Sequence, residues 1–178
     1  MSNGEEWRLR RAALDDVDGV HALASLPAVN RWLFDGAAPA RATIAERVAS
    51  GMASFEVSGV GLWVLVDDAR GVGGCVQLSP EAGARSAELS YLLAPSLWGR
   101  GLATRMAWTA VAQAFCQPGI DTVFAGVDRP NTASLMVLRR LGMRYRRAVR
   151  YPLGPGDEYE RGRGDPLPEP CPEPLPLL

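Results

Sequence analysis

Residues 95–108 read PSLWGRGLATRMAW and join an apolar run, LSYLLA, to a second one, LATRMAWTAVAQAF. Gly99 and Gly101 flank Arg100 where this second run is expected to begin a helix. A helix N-terminus offers free amides and a positive dipole end to an anion, and a glycine lets the backbone approach a phosphate closely. The segment therefore predicts a phosphate loop built on residues 99–104. A plain strand-to-helix turn with glycine for clearance is the alternative.

Two familiar phosphate loops do not fit this stretch. GRGLAT begins like a dinucleotide-binding fingerprint, and Asp121 follows about twenty residues later. That domain needs repeated βαβ units with the loop after an early strand, whereas three hairpin-linked strands are expected before this loop. A nucleotide-binding P-loop would need Gly-Lys-Ser or Gly-Lys-Thr, which the chain lacks.

Composition favours one domain that binds neither nucleic acid nor membrane. The 178 residues are 47% hydrophobic and 22% charged, as in an ordinary globular domain. The 19 basic residues, all arginine, nearly balance 20 acidic ones, so no strong field attracts nucleic acid or anionic lipid. Three scattered cysteines and one histidine predict no metal site. Without a signal core or an apolar run of about 18 residues, we expect a cytoplasmic protein.

The N-terminal half predicts one strand, two helices and a meander. EEWRLRRA favours a short strand, and DVDGVHALASL a helix that stops near Pro27. NRWLFDGAAPAR is loop-like. Thr43 and Glu46 are spaced as a capping box that opens a second helix, which Gly51 ends. The segments VGLWVLV, VGGCVQL and SAELSYLL then predict three antiparallel strands.

The C-terminal half predicts a β-loop-α-β unit, a capped helix and a final hairpin. The helix after the glycine loop runs to about Cys116, and the strand DTVFAGVD follows. Asn131 caps the next helix, and Gly142 ends it. MRYRRAVRYP and DEYERGR predict two more strands. The tail, residues 164–178, has proline at alternate positions, so we expect an extended or disordered appendage to a domain over residues 1–163.

This order of elements resembles the GNAT family of N-acetyltransferases, and within it the RimJ/RimL-type ribosomal-protein acetyltransferases. The resemblance spans residues 7 to about 162 and is carried by LWGRGLAT, NTASLMVLRRLGM and the strand SAELSYLLAP. The family loop Arg/Gln-x-x-Gly-x-Gly/Ala falls on residues 98–103, with Trp98 in place of the first polar residue. The resemblance implies an α/β (α+β) GNAT fold with a mixed, mostly antiparallel sheet of about six to seven strands and about four helices.

The resemblance also implies a set of residues that hold acetyl-CoA, the co-substrate. The fourth and fifth strands splay apart in this family, which leaves the amides of Leu92 and Leu93 free for the pantetheine arm. Asn131 contacts the pantetheine, although an N-cap role explains it locally as well. The expected cofactor residues are Leu92, Leu93, Gly99, Arg100, Gly101, Leu102, Ala103, Thr104 and Asn131.

Two residues are candidates for the chemistry. Transfer to an amine needs a neutral nucleophile, a stabilised oxyanion and a proton for the thiolate. Glu88 is the candidate base, since it shares a strand face with Ser90 near the expected thioester site; a solvated carboxylate paired with an arginine is the alternative. Leu138 stands where many relatives carry a tyrosine acid. The RimJ/RimL-type enzymes resemble this chain in carrying a serine three positions after the asparagine, and the resemblance implies that Ser134 donates a hydrogen bond to the coenzyme sulfur.

The acceptor is expected over the first two helices, where the family encloses it. Trp32 and Asp35 are the candidate contacts. We expect a protein or peptide N-terminal α-amine, while a small amine or an antibiotic remains open. A non-catalytic acyl-CoA sensor is a further alternative, because it would keep the loop and lose turnover. The oligomeric state is open, with a homodimer among the arrangements.

Overall fold

The computed structural model describes residues 7–34 and 36–178, which form a seven-stranded sheet and five α-helices. The sheet has the order β1-β2-β3-β4-β5-β7-β6, and every neighbouring pair is antiparallel except β4 and β5. This confirms the mixed, mostly antiparallel α/β fold. The strands are β1 (Arg8–Arg11), β2 (Leu62–Asp67), β3 (Gly71–Pro80), β4 (Ser86–Leu93), β5 (Thr122–Asp128), β6 (Arg144–Tyr151) and β7 (Gly154–Gly162).

The helices cover the two faces of this sheet. Residues of α1 and α3 share one buried apolar cluster with β2 and β3, and residues of α4 and α5 share the other with β3, β4 and β5. Each face is therefore desolvated by its own layer, which holds the strands in register. The helices are α1 (Val17–Ala24), α2 (Pro27–Leu33), α3 (Arg41–Ser58), α4 (Leu102–Cys116) and α5 (Thr132–Arg140).

The region before β2 differs from the sequence prediction. Three described helices precede β2 where two were expected, because α2 occupies Pro27–Leu33 in a segment taken as a helix stop and a loop. Pro27 lies in the first turn of α2, where a proline needs no amide partner and its fixed φ suits the helix. The proline therefore starts a helix as well as ending one.

The end of α3 was also predicted wrongly. Gly51 lies inside the helix, which runs on to Ser58 and ends at Gly59 with φ of 73°. A Cβ on Gly51 would lie 2.5 Å from the Cβ of Leu62, so glycine is required for close packing of the helix on β2. The N-cap is Ala40 without a side-chain hydrogen bond, so the expected Thr43–Glu46 capping box does not form.

The two central strands separate. Parallel pairing joins β4 to β5 only from Ser86↔Thr122 to Glu88↔Phe124. Both strands continue, β4 to Leu93 and β5 to Asp128, without further pairing between them. The split lies beside the N-termini of α4 and α5, so backbone groups of both strands and both helices border one opening.

The tail is extended and packs on the domain. Leu175 is buried, and its amide donates to Thr109 Oγ1 of α4 at 2.8 Å. The Leu9 amide of β1 donates to Pro176 O at 2.8 Å, and Leu178 donates to Leu9 O at 2.9 Å. Alternating prolines permit this because a proline carbonyl still accepts and the intervening leucines still donate. The sequence favoured a disordered tail here; residues near its C-terminus lie alongside the edge strand β1, with an isolated bridge between Leu9 and Leu177.

Candidate active site

A cleft of about 650 Å³ opens at the β4/β5 split. Its walls come from β4, β5, the N-terminal turns of α4 and α5, and α2. Arg100 is exposed and does not line it, and Asp35 lies outside the described residues. The structure brings the other expected site residues together along this cleft: Trp32, Glu88, Leu92, Leu93, Gly99, Gly101, Leu102, Ala103, Thr104, Asn131 and Ser134.

The glycine loop has the geometry of an anion cradle. Gly99 and Gly101 both have φ of 75°, and Gly101 is the N-cap of α4. The first intrahelical bond runs from the Arg105 amide to Gly101 O at 3.1 Å, and no side chain caps the turn. The preceding amides therefore have no acceptor within the helix. A Cβ on either glycine would meet no described atom within 4 Å, and both glycines and the first turn of α4 line the open cleft.

The end of β4 offers one amide to the split rather than two. The Ala94 amide donates to Gly73 O of β3 at 2.8 Å. Because amide directions alternate along a strand, the Leu92 amide also faces β3 and the Leu93 amide faces the split. Trp98 Nε1 donates to Leu93 O at 2.9 Å on that same side. The expectation that both amides are free is therefore corrected to Leu93 alone.

Glu88 lies on the wall of the cleft at the point where the strands separate. The carboxyl reaches solvent, yet partial burial between the cleft walls raises its pKa, the carboxylates of Glu158 and Glu81 raise it further, and Arg47 opposes them. Within the described residues it forms no hydrogen bond or ion pair. The expected alternative, a carboxylate paired with an arginine, is therefore not seen. A carboxylate with a raised pKa is a better proton acceptor.

Asn131 and Ser134 border the split from α5. Asn131 Oδ1 accepts a hydrogen bond from the Ser134 amide at 3.2 Å, so the asparagine is an N-cap. The hydroxyl of Tyr91 on β4 donates to Ser134 O at 3.5 Å across the opening, and burial raises the pKa of Tyr91 to about 12. The Ser134 hydroxyl has no hydrogen-bond partner in the described part of the chain. Leu138 is buried in the core.

Tyr151, at the end of β6, is a cleft residue that sequence reasoning missed. A Cβ on Gly126 would collide with its hydroxyl, and one on Gly156 would collide with its ring. Two glycines on neighbouring strands thus make room for this side chain. Burial, assisted by Glu158 and Glu88, raises the pKa of Tyr151 to about 12, so the hydroxyl stays protonated. The glycines are distant in sequence, and only strand pairing brings them to the tyrosine.

Arg47 of α3 is a second missed residue. Its Nε donates to Gln77 Oε1 at 2.6 Å, and its Nη2 donates to Ser90 Oγ at 3.2 Å. The guanidinium also lies 5.9 Å from the centre of the Phe34 ring. The sequence carries no motif at this position, because a single arginine on an amphipathic helix usually faces solvent.

Neither a metal site nor a membrane span is found in the described residues. No three or more His, Cys, Asp or Glu side chains gather as metal ligands across residues 7–34 and 36–178. No helix in those ranges has both the length and the apolar composition to cross a membrane.

Comparison with known proteins identifies the fold. The family described as "Acetyltransferase (GNAT) domain" matches residues 7–144. A phosphinothricin acetyltransferase from Sinorhizobium meliloti, in complex with AcCoA, has a TM-score of 0.75 at 17% identity, covering 88% of each chain. The ribosomal-protein α-N-acetyltransferase RimL, in complex with coenzyme A, has a TM-score of 0.73 at 17% identity, covering 90% of this chain and 96% of that one.

An aminoglycoside acetyltransferase in complex with coenzyme A is also similar. Its TM-score is 0.71 at 18% identity, with 88% of this chain and 95% of that one covered. These low identities show a shared fold, and the acceptors named for the three proteins differ. The family match covers most of the chain, so the chain belongs to the GNAT acetyltransferase family, whose co-substrate is acetyl-CoA.

Proposed function

We propose that this member of the GNAT family transfers the acetyl group of acetyl-CoA to the α-amine of a protein or peptide N-terminus. The observation that carries the proposal is that one cleft, at the β4/β5 split, contains an anion cradle, an open strand amide and a carboxyl of raised pKa. The residues fit acetyl-CoA because the cradle suits its diphosphate and the long, partly apolar split suits an extended arm.

The donor side is assigned to α4, α5 and the end of β4. The amides of Gly101 and the first turn of α4 bind the pyrophosphate, since they lack helical acceptors. The Leu93 amide binds along the pantetheine arm or at the thioester oxygen, where it would stabilise developing negative charge. The Ser134 hydroxyl donates to the coenzyme sulfur. When bound, acetyl-CoA supplies an activated acyl carbon and a thiolate leaving group.

The acceptor side is assigned to Glu88, Trp32 and the neighbouring walls. The amine nitrogen attacks the thioester carbon, the carbon-sulfur bond breaks, and Glu88 accepts the proton that the nitrogen loses. Trp32 on α2 lines the cleft, and it is assigned the contact with the acceptor chain. The thiolate leaves with modest assistance from Ser134, because a thiol of pKa about 8.5 is already a good leaving group.

The cleft contains few acid-base groups, which favours an acceptor amine of low pKa. At pH 7 an α-amine with a pKa of about 8 is roughly 10% neutral, whereas a lysine amine with a pKa of about 10.4 is neutral only to about 0.04%. The neutral fraction differs by over two hundredfold before recognition begins. The RimJ/RimL resemblance points to the same acceptor class. The similarity to an aminoglycoside acetyltransferase keeps a small amine as the second candidate.

One experiment tests the proposal. Short peptides with a free N-terminus and an internal lysine are incubated with the protein and acetyl-CoA, and mass spectrometry locates the acetyl group while coenzyme A release is recorded. We expect acetylation mainly of the α-amine, with lysine modification accounting for only a small share of the released coenzyme A. Preferential lysine acetylation would refute the acceptor class. Tight acetyl-CoA binding without release in the presence of any amine would indicate a sensor.

A further inference from the structure

We infer that Arg47 selects acceptors that carry an anionic oxygen group, such as a carboxylate, close to the reacting amine. The inference rests on the proposed function and names its substrate class more narrowly: N-termini with an acidic side chain at the first or second residue. It depends on how Arg47 is held, where its guanidinium lies relative to Glu88, and which charges surround it.

The guanidinium of Arg47 is held by neutral atoms. Its two hydrogen bonds go to the amide oxygen of Gln77 and the hydroxyl of Ser90, at 2.6 and 3.2 Å. A guanidinium has five N–H donors, so these partners fix its orientation and leave donors for another acceptor. Within the described residues no carboxylate lies within 4.0 Å of it. A half-buried cation with neutral partners attracts an anion more strongly than a solvated one.

The guanidinium lies beside the expected point of attack. Ser90, its partner, follows Glu88 by two residues on the same face of β4, which places the two side chains about 7 Å apart. Arg47, Glu88 and Ser90 all line the same cleft. An acceptor whose amine donates its proton to Glu88 therefore holds its neighbouring groups within reach of Arg47. One or two residues of a peptide span this distance.

The cleft thus presents two opposite charges, Glu88 and Arg47, close to each other beside the expected point of attack. Glu88, whose negative charge is reinforced by Glu158, attracts the amine end of the acceptor and accepts the proton that the nitrogen loses when it attacks. Arg47 can form two parallel hydrogen bonds with a carboxylate, which adds direction to the charge attraction. An acceptor with an amine and a nearby carboxylate matches both charges, whereas an N-terminal segment without an acidic side chain leaves the arginine unused.

A purely structural role for Arg47 makes a different prediction. Through Gln77 and Ser90 the side chain also ties α3 to β3 and β4, so its loss could lower stability and slow the reaction with every acceptor. It also opposes the raised pKa of Glu88, and that effect too would be equal for all acceptors. Only a role in specificity changes the ratio of kcat/KM between an acceptor with an acidic side chain and one without.

The experiment measures that ratio. Amidated tripeptides with Glu or Gln at the first or second residue are compared by kcat/KM in the wild type, Arg47→Gln and Arg47→Lys. We expect the wild type to favour Glu over Gln about 10-fold at one of the two positions, as one charge-assisted hydrogen bond provides, mainly through KM. Arg47→Gln should bring the ratio to about 1, and Arg47→Lys should restore part of it.

Arg41→Gln is the matched control. Arg41 lies on the same helix and is exposed, and it pairs with Asp18 at 2.6 Å away from the cleft, so its loss should leave the ratio unchanged. Titration calorimetry of the Glu and Gln peptides on the coenzyme A complex measures their relative affinity without turnover, and we expect the same preference for Glu there. Equal affinity for the two peptides in the wild type, or an acidic preference that survives in Arg47→Gln, would overturn the inference while α-amine acetylation stands. Absence of acetylation of all peptides would overturn the proposed function and the inference with it.

Discussion

Replacing Gly101 by alanine tests the phosphate cradle most selectively. The residue is the N-cap of α4 and has φ of 75°, a conformation that alanine adopts only with strain. Gly83, in the turn between β3 and β4, has φ of 74°, and a Cβ there also meets nothing within 4 Å. Gly83→Ala therefore imposes the same backbone strain away from the cleft.

The magnitudes follow from these geometries. Left-handed backbone strain costs about 1 to 2 kcal/mol in each variant, and a chain of this length loses about 2 to 4 °C in Tm for each kcal/mol. Both variants should thus melt roughly 2 to 8 °C below the wild type. Of the two added methyl groups, only that of Gly101→Ala lies at the cleft, at the start of α4, where it would crowd a pyrophosphate bound by the first-turn amides. Loss of one charge-assisted hydrogen bond, about 1.5 to 3 kcal/mol, should weaken acetyl-CoA binding about 10- to 150-fold.

Titration calorimetry with acetyl-CoA at a temperature where both variants are folded provides the assay. Circular dichroism melts report the strain independently. We expect Gly83→Ala to bind as the wild type does. Should Gly101→Ala bind acetyl-CoA with unchanged affinity, or should both variants lose affinity equally, the pyrophosphate does not lie on these amides.

Three further changes test other parts of the account. Glu88→Gln should lower kcat about a hundredfold with little change in acetyl-CoA affinity, and a full rate would show that the base lies elsewhere. Because the deprotonated form of Glu88 acts, wild-type kcat/KM should fall more steeply with pH below the raised pKa of Glu88 than protonation of the acceptor amine alone requires, and this extra slope should be absent from the pH profile of Glu88→Gln. Ser134→Ala should lower the single-turnover rate less than Glu88→Gln does. Leu175→Ala should destabilise the protein by about 2 to 5 kcal/mol in denaturant unfolding, whereas the exposed Leu167→Ala should not; equal stabilities would mean the tail does not pack as described.

Much of the fold could be predicted because local signals and packing agree. The meander from β2 to β4, the helix after the glycine loop and the Asn131-capped α5 all have clear periodicity and end signals. The errors fall where one residue type has two uses. Pro27 starts α2 where a stop was expected, and Gly51 gives close packing inside α3 where a helix end was expected. Sequence alone does not distinguish these uses.

The candidate site was predictable where residues are close in sequence. The glycine loop, Asn131 and Ser134 belong to continuous motifs, and they line one cleft with Glu88. Tyr151 was missed because its environment is assembled by strand pairing between β5, β6 and β7. Arg47 was missed for a similar reason, since its partners come from β3 and β4.

A crystal structure of the protein with acetyl-CoA would test the central claim most directly. The claim is that the β4/β5 split and the first turn of α4 together hold the donor beside Glu88. The account predicts pyrophosphate oxygens within hydrogen-bond distance of the amides of Gly101 and the residues after it. It also predicts the thioester beside Leu93, with its acyl carbon on the side of the cleft that Glu88 lines. A donor bound away from the split, or a thioester separated from Glu88 by the sheet, would contradict the account.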